Sequence, residues 1–305
     1  MMGTPTLGIV IPHLNQPEFL RHCLQSLAPQ IAVYPGVEVI VVDNGSRQLP
    51  LEVCRDYDFV RLEQEPEAGP GPARNRGIAV CGADLLAFID ADCVAGAGWL
   101  KSIVAAFASR KDMLIAGGDV RIGLADPRNM TMLEAYESVF AYRQKDYIER
   151  QGFSGTGNLA MRRAAFEMTG PFAGIAVAED RDWGRRATAK GLRIAYLPEM
   201  IVYHPARKSF AELRRKWDRH ISHDFADRHR GPIGLALWIA KSFAVGASGV
   251  ADIRRVIASR RISTGRERFL AAAMLLRIRL YRMWRMLTLL KPGRRSGSKA
   301  WNRQA

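Results

Sequence analysis

Acid is what the last third of this 305-residue chain lacks. From Pro205 to Ala305 there are 24 Lys and Arg against 6 Asp and Glu, whereas the rest of the chain holds 21 against 24. The net charge of +15 therefore belongs to the C-terminal third, which implies a near-neutral body and a cationic region drawn to something anionic. Cysteine is scarce. Cys23, Cys54, Cys81 and Cys93 show neither a CxxC pair nor metal-ligand spacing, which excludes a disulfide scaffold and a zinc module and leaves free thiols of a reducing compartment. No long apolar run opens the chain. The first, Leu7 to Ile11, is too short for the core of a signal peptide and has no basic flank, so the expected location is the cytoplasm. No GxGxxG follows that run, which excludes a hydride-transferring dinucleotide enzyme.

What is present is an alternation. Short apolar runs, "LGIVIP" (7–12), "VEVIVVD" (37–43), "FVRLEQ" (59–64) and "LLAFID" (85–90), read as strands. Helical stretches separate them over Pro17 to Leu27, Gly71 to Val80 and Gly98 to Ala108. Continuous apolar strands alternating with helices predict an α/β fold with a mostly parallel sheet covered on both faces. Right-handed crossovers line up the carboxyl ends of the strands along one edge, where open sheets of this kind bind ligands. Asp43 and Asp90 both end such strands, and Asp92 follows Asp90 by two residues. Acids meeting in one crevice repel unless a cation or hydrogen-bond donors compensate. An Asp-x-Asp offers oxygen ligands suited to Mg²⁺ or Mn²⁺ held jointly with substrate phosphates. The plainer alternative is that Asp92 caps the helix near Trp99.

Five segments occur in order: "IVIPHLNQPEFLRHCLQSL" (9–27), "VIVVDNGS" (39–46), "GPGPARNRGI" (69–78), "AFIDADC" (87–93) and "AEDRDWGRRATAKG" (178–191). Together they resemble the family 2 glycosyltransferases over roughly residues 5 to 210. That resemblance implies a GT-A fold, Rossmann-like and binding a nucleotide sugar, and transfer with inversion. It puts Pro12 and Asn15 in the loop lining the nucleotide pocket, Asp43 on the base or ribose, Arg74 and Asn75 beside the nucleotide, and Asp90 on ribose or metal. Asp92 becomes the principal ligand of a Mn²⁺ or Mg²⁺ ion, with His204 a candidate second ligand. Gly157 and Asn158, in a glycine-rich stretch that then reads as helix, fall on the acceptor side with Glu179 and Trp183. Asp180 becomes the catalytic base. Plainer readings stand beside these: Asp43 in an Asx-turn before Gly45 and Ser46, Asp180 as a helix N-cap, Trp183 in the core. A nucleotidyltransferase of similar fold would want a glycine-rich phosphate loop where this chain has "PHLNQPEF". A non-catalytic scaffold at the membrane surface is the remaining alternative, and the four acids Asp43, Asp90, Asp92 and Asp180 count against it. The expected donor is a nucleotide-diphosphate sugar, UDP being the commonest base in the family. The expected acceptor is a hydroxyl on a glycan or lipid-linked molecule of the cell envelope.

The expected division is a catalytic domain to residue 210 and a basic helical region from 211 to 305, with a disordered end in "KPGRRSGSKAWNR". Within it, Pro232 to Ala251 is the one candidate for a membrane span. Phe269, Ala273, Leu276, Leu280, Met283, Leu287 and Leu290 form a stripe at steps of four and three, with Arg277, Arg279, Arg282 and Arg285 on the other side. Such a helix reads as interfacial, held to an anionic membrane surface at the inner face of the membrane. The same spacing allows packing on the body or on a second copy in a homodimer. Nothing resembles a nucleic-acid-binding module.

Overall fold

A computed structural model describes residues 7–226 and 231–290, apart from the side chains at 223 and 226. The expected disordered end lies outside the described residues. The chain forms two compact units. The first runs to Arg121 and resumes from Tyr142 to His204; the second takes Ile122–Ala141 and the described residues from Pro205 on, to 290. The second unit thus reaches back before residue 210 to claim an internal segment.

In chain order the elements are β1 (Leu7–His13), α1 (Pro17–Ile31), β2 (Val37–Asp43), α2 (Leu51–Arg55), β3 (Val60–Gln64), α3 (Pro70–Val80), β4 (Leu85–Ile89), β5 (Val94–Ala95), α4 (Trp99–Ser109) and β6 (Ile115–Gly123). There follow α5 (Met132–Phe140), α6 (Gln144–Gln151), β7 (Asn158–Arg162), α7 (Arg163–Thr169), α8 (Glu179–Ala189) and β8 (Ile194–Pro205). The last are α9 (Phe210–Ala226), α10 (Pro232–Ala251), α11 (Ile253–Ala258) and α12 (Gly265–Thr288). The strands form one mixed sheet in the order β3-β2-β1-β4-β7-β6-β8-β5. β3, β2, β1 and β4 run parallel, while β7 is antiparallel to both β4 and β6.

The central strands β1, β2 and β4 are apolar along most of their length because both faces are covered. Ile9, Ile11, Val39, Val41, Ala87 and Ile89 pack under Leu20, Cys23, Leu24 and Leu27 of α1 and Trp99 and Ile103 of α4. The intervening Val10, Ile40, Val42, Leu86 and Phe88 point the other way, against Ala73 and Ile78 of α3, Ala165 of α7 and Trp183 of α8. α1 shows the matching helical period, with Pro17 in its first turn where a missing N–H costs nothing. All four cysteines are free and buried.

One expectation is corrected here. The stretch after the glycines at 153–157 does not go straight into a helix. Asn158–Met161 is buried on both faces and hydrogen-bonded between two strands, so it extends as β7, and α7 begins only at Arg163.

In the second unit, α5 and α12 each open with a capping box, Thr131 with Glu134 and Thr264 with Glu267. Ala135, Tyr136, Leu213, Val256, Ala271, Met274, Leu275 and Ile278 make its core. The arginines of α12 do not form an outward cationic face. Arg279 is paired with Asp252 at 2.7 Å and Arg285 with Asp218 at 3.2 Å. The Arg282 guanidinium lies 3.6 Å from the centre of the Trp217 ring, and Arg277 sits over Phe210 at 4.0 Å. Burial, helped by nearby Arg279, pushes Arg282 down to about 10. The stripe is not the buried face either, since Phe269 and Leu280 are exposed.

Candidate active site

Because β2, β1 and β4 are parallel neighbours, their carboxyl ends share one edge. The chain reverses its direction of strand addition between β1 and β4, the kind of point at which such sheets open a crevice. His13 and Asp43 end β1 and β2 in register. Asp43 is 2% exposed, and both of its carboxylate oxygens are bonded. Oδ1 meets His13 Nδ1 at 2.9 Å, and Oδ2 accepts from the backbone N–H of Gly45 at 3.1 Å and Ser46 at 2.9 Å. The Asx-turn reading of Asp43 is thus present in the structure. The N–H of Gln16 donates to His13 Nε2, so Nδ1 carries the ring proton and donates to Asp43. Burial works against ionising Asp43, but the hydrogen bonds from His13 and Ser46 hold it below the usual carboxylate range. Asn15, at φ +53°, receives Arg47 N–H on its side chain and donates its own N–H to Ser46 Oγ, which closes the loop after β1. Pro12 lies half-buried one residue before His13. Asn44 accepts from Gly69 N–H and donates to the carbonyls of Glu65 and Glu67, so it braces the entry to α3.

Arg74 ties two distant segments together. Its side chain is 3% exposed, with Nη2 at 2.7 Å from Asp90 Oδ1 and Nη1 at 3.0 Å from Glu179 Oε1. Its guanidinium is therefore committed to two acids and joins the end of β4 to the first turn of α8. Burial raises Asp90 above the usual carboxylate range; Arg74 opposes that shift and Asp92 adds to it. A Cβ on Gly157 would lie 2.4 Å from Asp90 Oδ2, so only glycine lets the backbone approach that carboxylate. Gly71 and Gly77 answer a different need: a Cβ there would strike the Ala173 carbonyl and Val10, so they serve packing of α3. Asn75 exchanges two hydrogen bonds with the backbone of Phe172 and has a bracing role.

Asp180 is the second residue of α8, and the N-cap is Ala178, which makes no side-chain cap. The N-cap reading of Asp180 does not hold. Burial raises its carboxyl above the ordinary range, and Glu179 adds to the shift. Asp92 likewise caps nothing, since α4 is entered through Gly98. Its Oδ2 lies 3.3 Å from His204 Nε2 at the end of β8, and Tyr142 covers the imidazole at 4.8 Å between ring centres. Burial disfavours ionised Asp92, yet the hydrogen bond from His204 holds it below the ordinary range.

Two expected acceptor contacts do not face a crevice. Asn158 is 0% exposed, accepting from Trp99 Nε1 at 2.8 Å and donating to the carbonyls of Asp119 and Met200, both at 2.8 Å. With these bonds made, its side chain pins β7 to its surroundings. Trp183 is buried against Phe172, with its indole N–H on the Gly170 carbonyl, so its core reading holds.

Residues 8–169 match the profile of Glycosyl transferase family 2. A relative from Haloferax volcanii, Glycosyltransferase AglE, is 31% identical over 251 residues, covering 78% of this chain and 81% of that protein. The chain belongs to glycosyl transferase family 2. A second relative, the pre-mycofactocin glycosyltransferase of Mycobacterium tuberculosis, is 28% identical over 284 residues; they cover 84% of this chain but only 57% of that longer protein. Among solved structures, the mannosyltransferase PcManGT of Pyrobaculum calidifontis, in complex with GDP-Man and Mn²⁺, matches at a TM-score of 0.58 and 15% identity. The match covers 94% of this chain and 86% of that one. S. aureus TarS 1-349 in complex with UDP-GlcNAc matches at 0.50 and 17%, over 92% and 72%. These likenesses give the GT-A fold to this chain. It is a glycosyltransferase that acts on nucleotide sugars.

For a family 2 enzyme the fit of a divalent ion turns on Asp92 and His204. Among the described residues no group of three or more His, Cys, Asp or Glu converges to hold a metal. What the site offers is one carboxylate oxygen and one imidazole nitrogen 3.3 Å apart, with a second acid, Asp90, two residues from Asp92. Two protein ligands fit an ion whose remaining positions go to substrate phosphates and water. The nitrogen suits a transition ion such as Mn²⁺ better than Mg²⁺. His13 is the site residue that spacing did not reveal. The signal was there: β1 and β2 are both seven residues long and paired in register, so the residue ending one must face the residue ending the other.

Proposed function

We propose that this protein transfers a sugar with inversion from a nucleotide-diphosphate sugar to an acceptor hydroxyl, with Asp180 as the base. The observation that carries this reading is the link through Arg74. One guanidinium bonded to both Asp90 and Glu179 fixes the first turn of α8, and with it Asp180, relative to the Asp-x-Asp. Asp180 takes the acceptor proton as the acceptor oxygen bonds to the anomeric carbon. The bond from that carbon to the diphosphate breaks on the opposite face, and nucleoside diphosphate leaves. A carboxyl held above its ordinary range by burial is a better proton acceptor than a solvated one. Asp92 and His204 would hold the Mn²⁺ or Mg²⁺ ion, which when bound supplies positive charge to the departing diphosphate. Asp43, kept ionised by His13 and Ser46, offers its remaining lone pairs to base or ribose, with Pro12 and Asn15 shaping the same loop. Glu179 and Gly157 border the acceptor side.

The donor's base follows the family's commonest, UDP, with GDP next; PcManGT binds GDP-Man and TarS 1-349 binds UDP-GlcNAc. The acceptor is a glycan or lipid-linked hydroxyl, met at the inner face of the membrane. The catalytic work belongs to the first unit. The test is release of nucleoside diphosphate from a panel of UDP-, GDP- and dTDP-sugars, with and without Mn²⁺ or Mg²⁺. Asp92→Ala should abolish the metal-dependent part. Asp180→Asn should keep donor binding while turnover falls by about 10²–10⁴-fold, the usual range for a general base. Full turnover in Asp180→Asn would remove Asp180 from the base role.

A further inference from the structure

Among the described residues the outer face of α10 has no partner, and its composition says what covers it. Along Pro232–Ala251 the side inward to the unit is Gly234, Trp238, Ser242 and Gly249. Trp238 donates its indole N–H to the Met286 carbonyl and packs edge-on against Phe225, which fastens the helix to α12 and α9. The opposite side carries Ile233, Leu237 and Phe243, 78%, 59% and 57% exposed, with Ala236, Ala240, Ala244 and Ala247 among them.

This face offers no polar group to a protein partner. Ser242 Oγ donates to the Trp238 carbonyl, Ser248 Oγ to the Val245 carbonyl, and the one charge, Lys241, is paired with Asp224. Protein interfaces set hydrogen-bonding groups around an apolar centre, whereas a helix lying in lipid satisfies its polar groups internally. Directly after the apolar stretch, Arg254 and Arg260 are exposed, beside exposed Ile257. Asp252, two residues before Arg254, is already bound to Arg279 and Arg255. An anionic lipid surface suits an apolar face followed by exposed arginines, since its headgroups meet the charge while its acyl region meets the face.

We infer that the α10 face, with the arginines that follow it, docks on the surface of an anionic bilayer. The helix lies in the plane of the interface with Leu237 and Phe243 inserted. It is long and apolar enough to cross a membrane, but its inner side is fastened to α12, so only one side is available to lipid. The contact belongs to α10 and the arginines that follow it, not to Arg279, Arg282 and Arg285 of α12, which are engaged inside the unit. This inference is independent of the transferase chemistry, since docking is read without donor.

The experiment is flotation of the full chain with phosphatidylcholine vesicles and with vesicles containing phosphatidylglycerol, at low and high salt. Comparison is with the double variant Leu237→Glu, Phe243→Glu and, separately, Arg254→Glu, Arg260→Glu. All four positions are exposed, and circular dichroism with release of nucleoside diphosphate in solution verifies folding. Binding to the anionic vesicles is expected, weakened by salt, and lowered about tenfold or more by either double variant. Three results would overturn the inference: wild type that ignores both vesicles, a Leu237, Phe243 variant that binds as wild type does, or a wild-type dimer that this variant makes monomeric, which would assign the face to a second copy.

Discussion

Asp180 and Asp43 end up on opposite sides of the ordinary carboxylate range, and the cause is their neighbours. Asp43 has three donors and no close acid, so its folded-state pKa lies below its unfolded value. Its contribution to stability is present above the unfolded carboxylate range and is lost as pH falls through the folded value. Asp180 is buried beside Glu179, so its pKa is raised. A base acts only when ionised, so turnover should fall on the acid side at a higher pH than an ordinary carboxylate would give. Glu179→Gln removes a negative neighbour and releases Arg74 from one of its two acids, and both changes favour ionised Asp180. The acid limb of log kcat against pH is expected to move to lower pH in this variant. An unmoved limb would mean that the limb reports another group. The acids themselves were legible in the chain, because each sits at a strand end or in a helix's first turn. Their shifts were not, since Glu179 meets Arg74 across 105 positions.

At the scale of elements, β7 shows where local reading falls short. "GTGNLAMRR" has helix-compatible residues, yet tertiary pairing with β4 and β6 extends it. Asn158 at its start is a structural clamp and not an acceptor contact. Asn158→Ala would leave Trp99 Nε1 and the Asp119 and Met200 carbonyls without this partner. Each orphaned buried group costs about 1–3 kcal/mol, so a loss of about 3 kcal/mol or more is expected as a lowered urea midpoint. If Asn158 instead touched acceptor, the midpoint would hold and acceptor KM would rise. α12 teaches the same lesson from the other side. Its stripe of period 3.5 and its arginines were both visible in the chain, but Arg279, Arg282 and Arg285 point to Asp252, Trp217 and Asp218 on other elements. A helical period identifies two faces without saying which one is covered.

For the whole molecule, the division into units depends on an excursion of the chain. Residues 122–141 leave the first unit after Arg121 and join the second. Glu137, 2% exposed in α5, accepts from the Arg207 backbone N–H at 2.9 Å and pairs with the Arg207 side chain. Glu137→Gln would leave Arg207 without its countercharge. The expected cost is about 2–3 kcal/mol, below the figure for a fully buried pair because Arg207 keeps some contact with water. Urea unfolding followed by tryptophan emission reads it, since Trp217, Trp238 and Trp284 all belong to the second unit. A midpoint equal to wild type would show the pair to be dispensable.

The sequence by itself determined the alternation of strands and helices, the mostly parallel sheet, the acids at the strand ends, and the charge asymmetry. These follow from local periods and from residue types that the chain displays directly. Only the tertiary structure decided what each acid and each arginine meets. Asp43 found His13, Arg74 joined Asp90 to Glu179, Asp92 met His204, and Arg279, Arg282 and Arg285 turned inward while, among the described residues, α10 kept an apolar face uncovered. The reason is physical. A period or an end position is a property of neighbours along the chain. A partner is chosen by how crossovers stack the elements, and that sets distances no spacing in the sequence encodes.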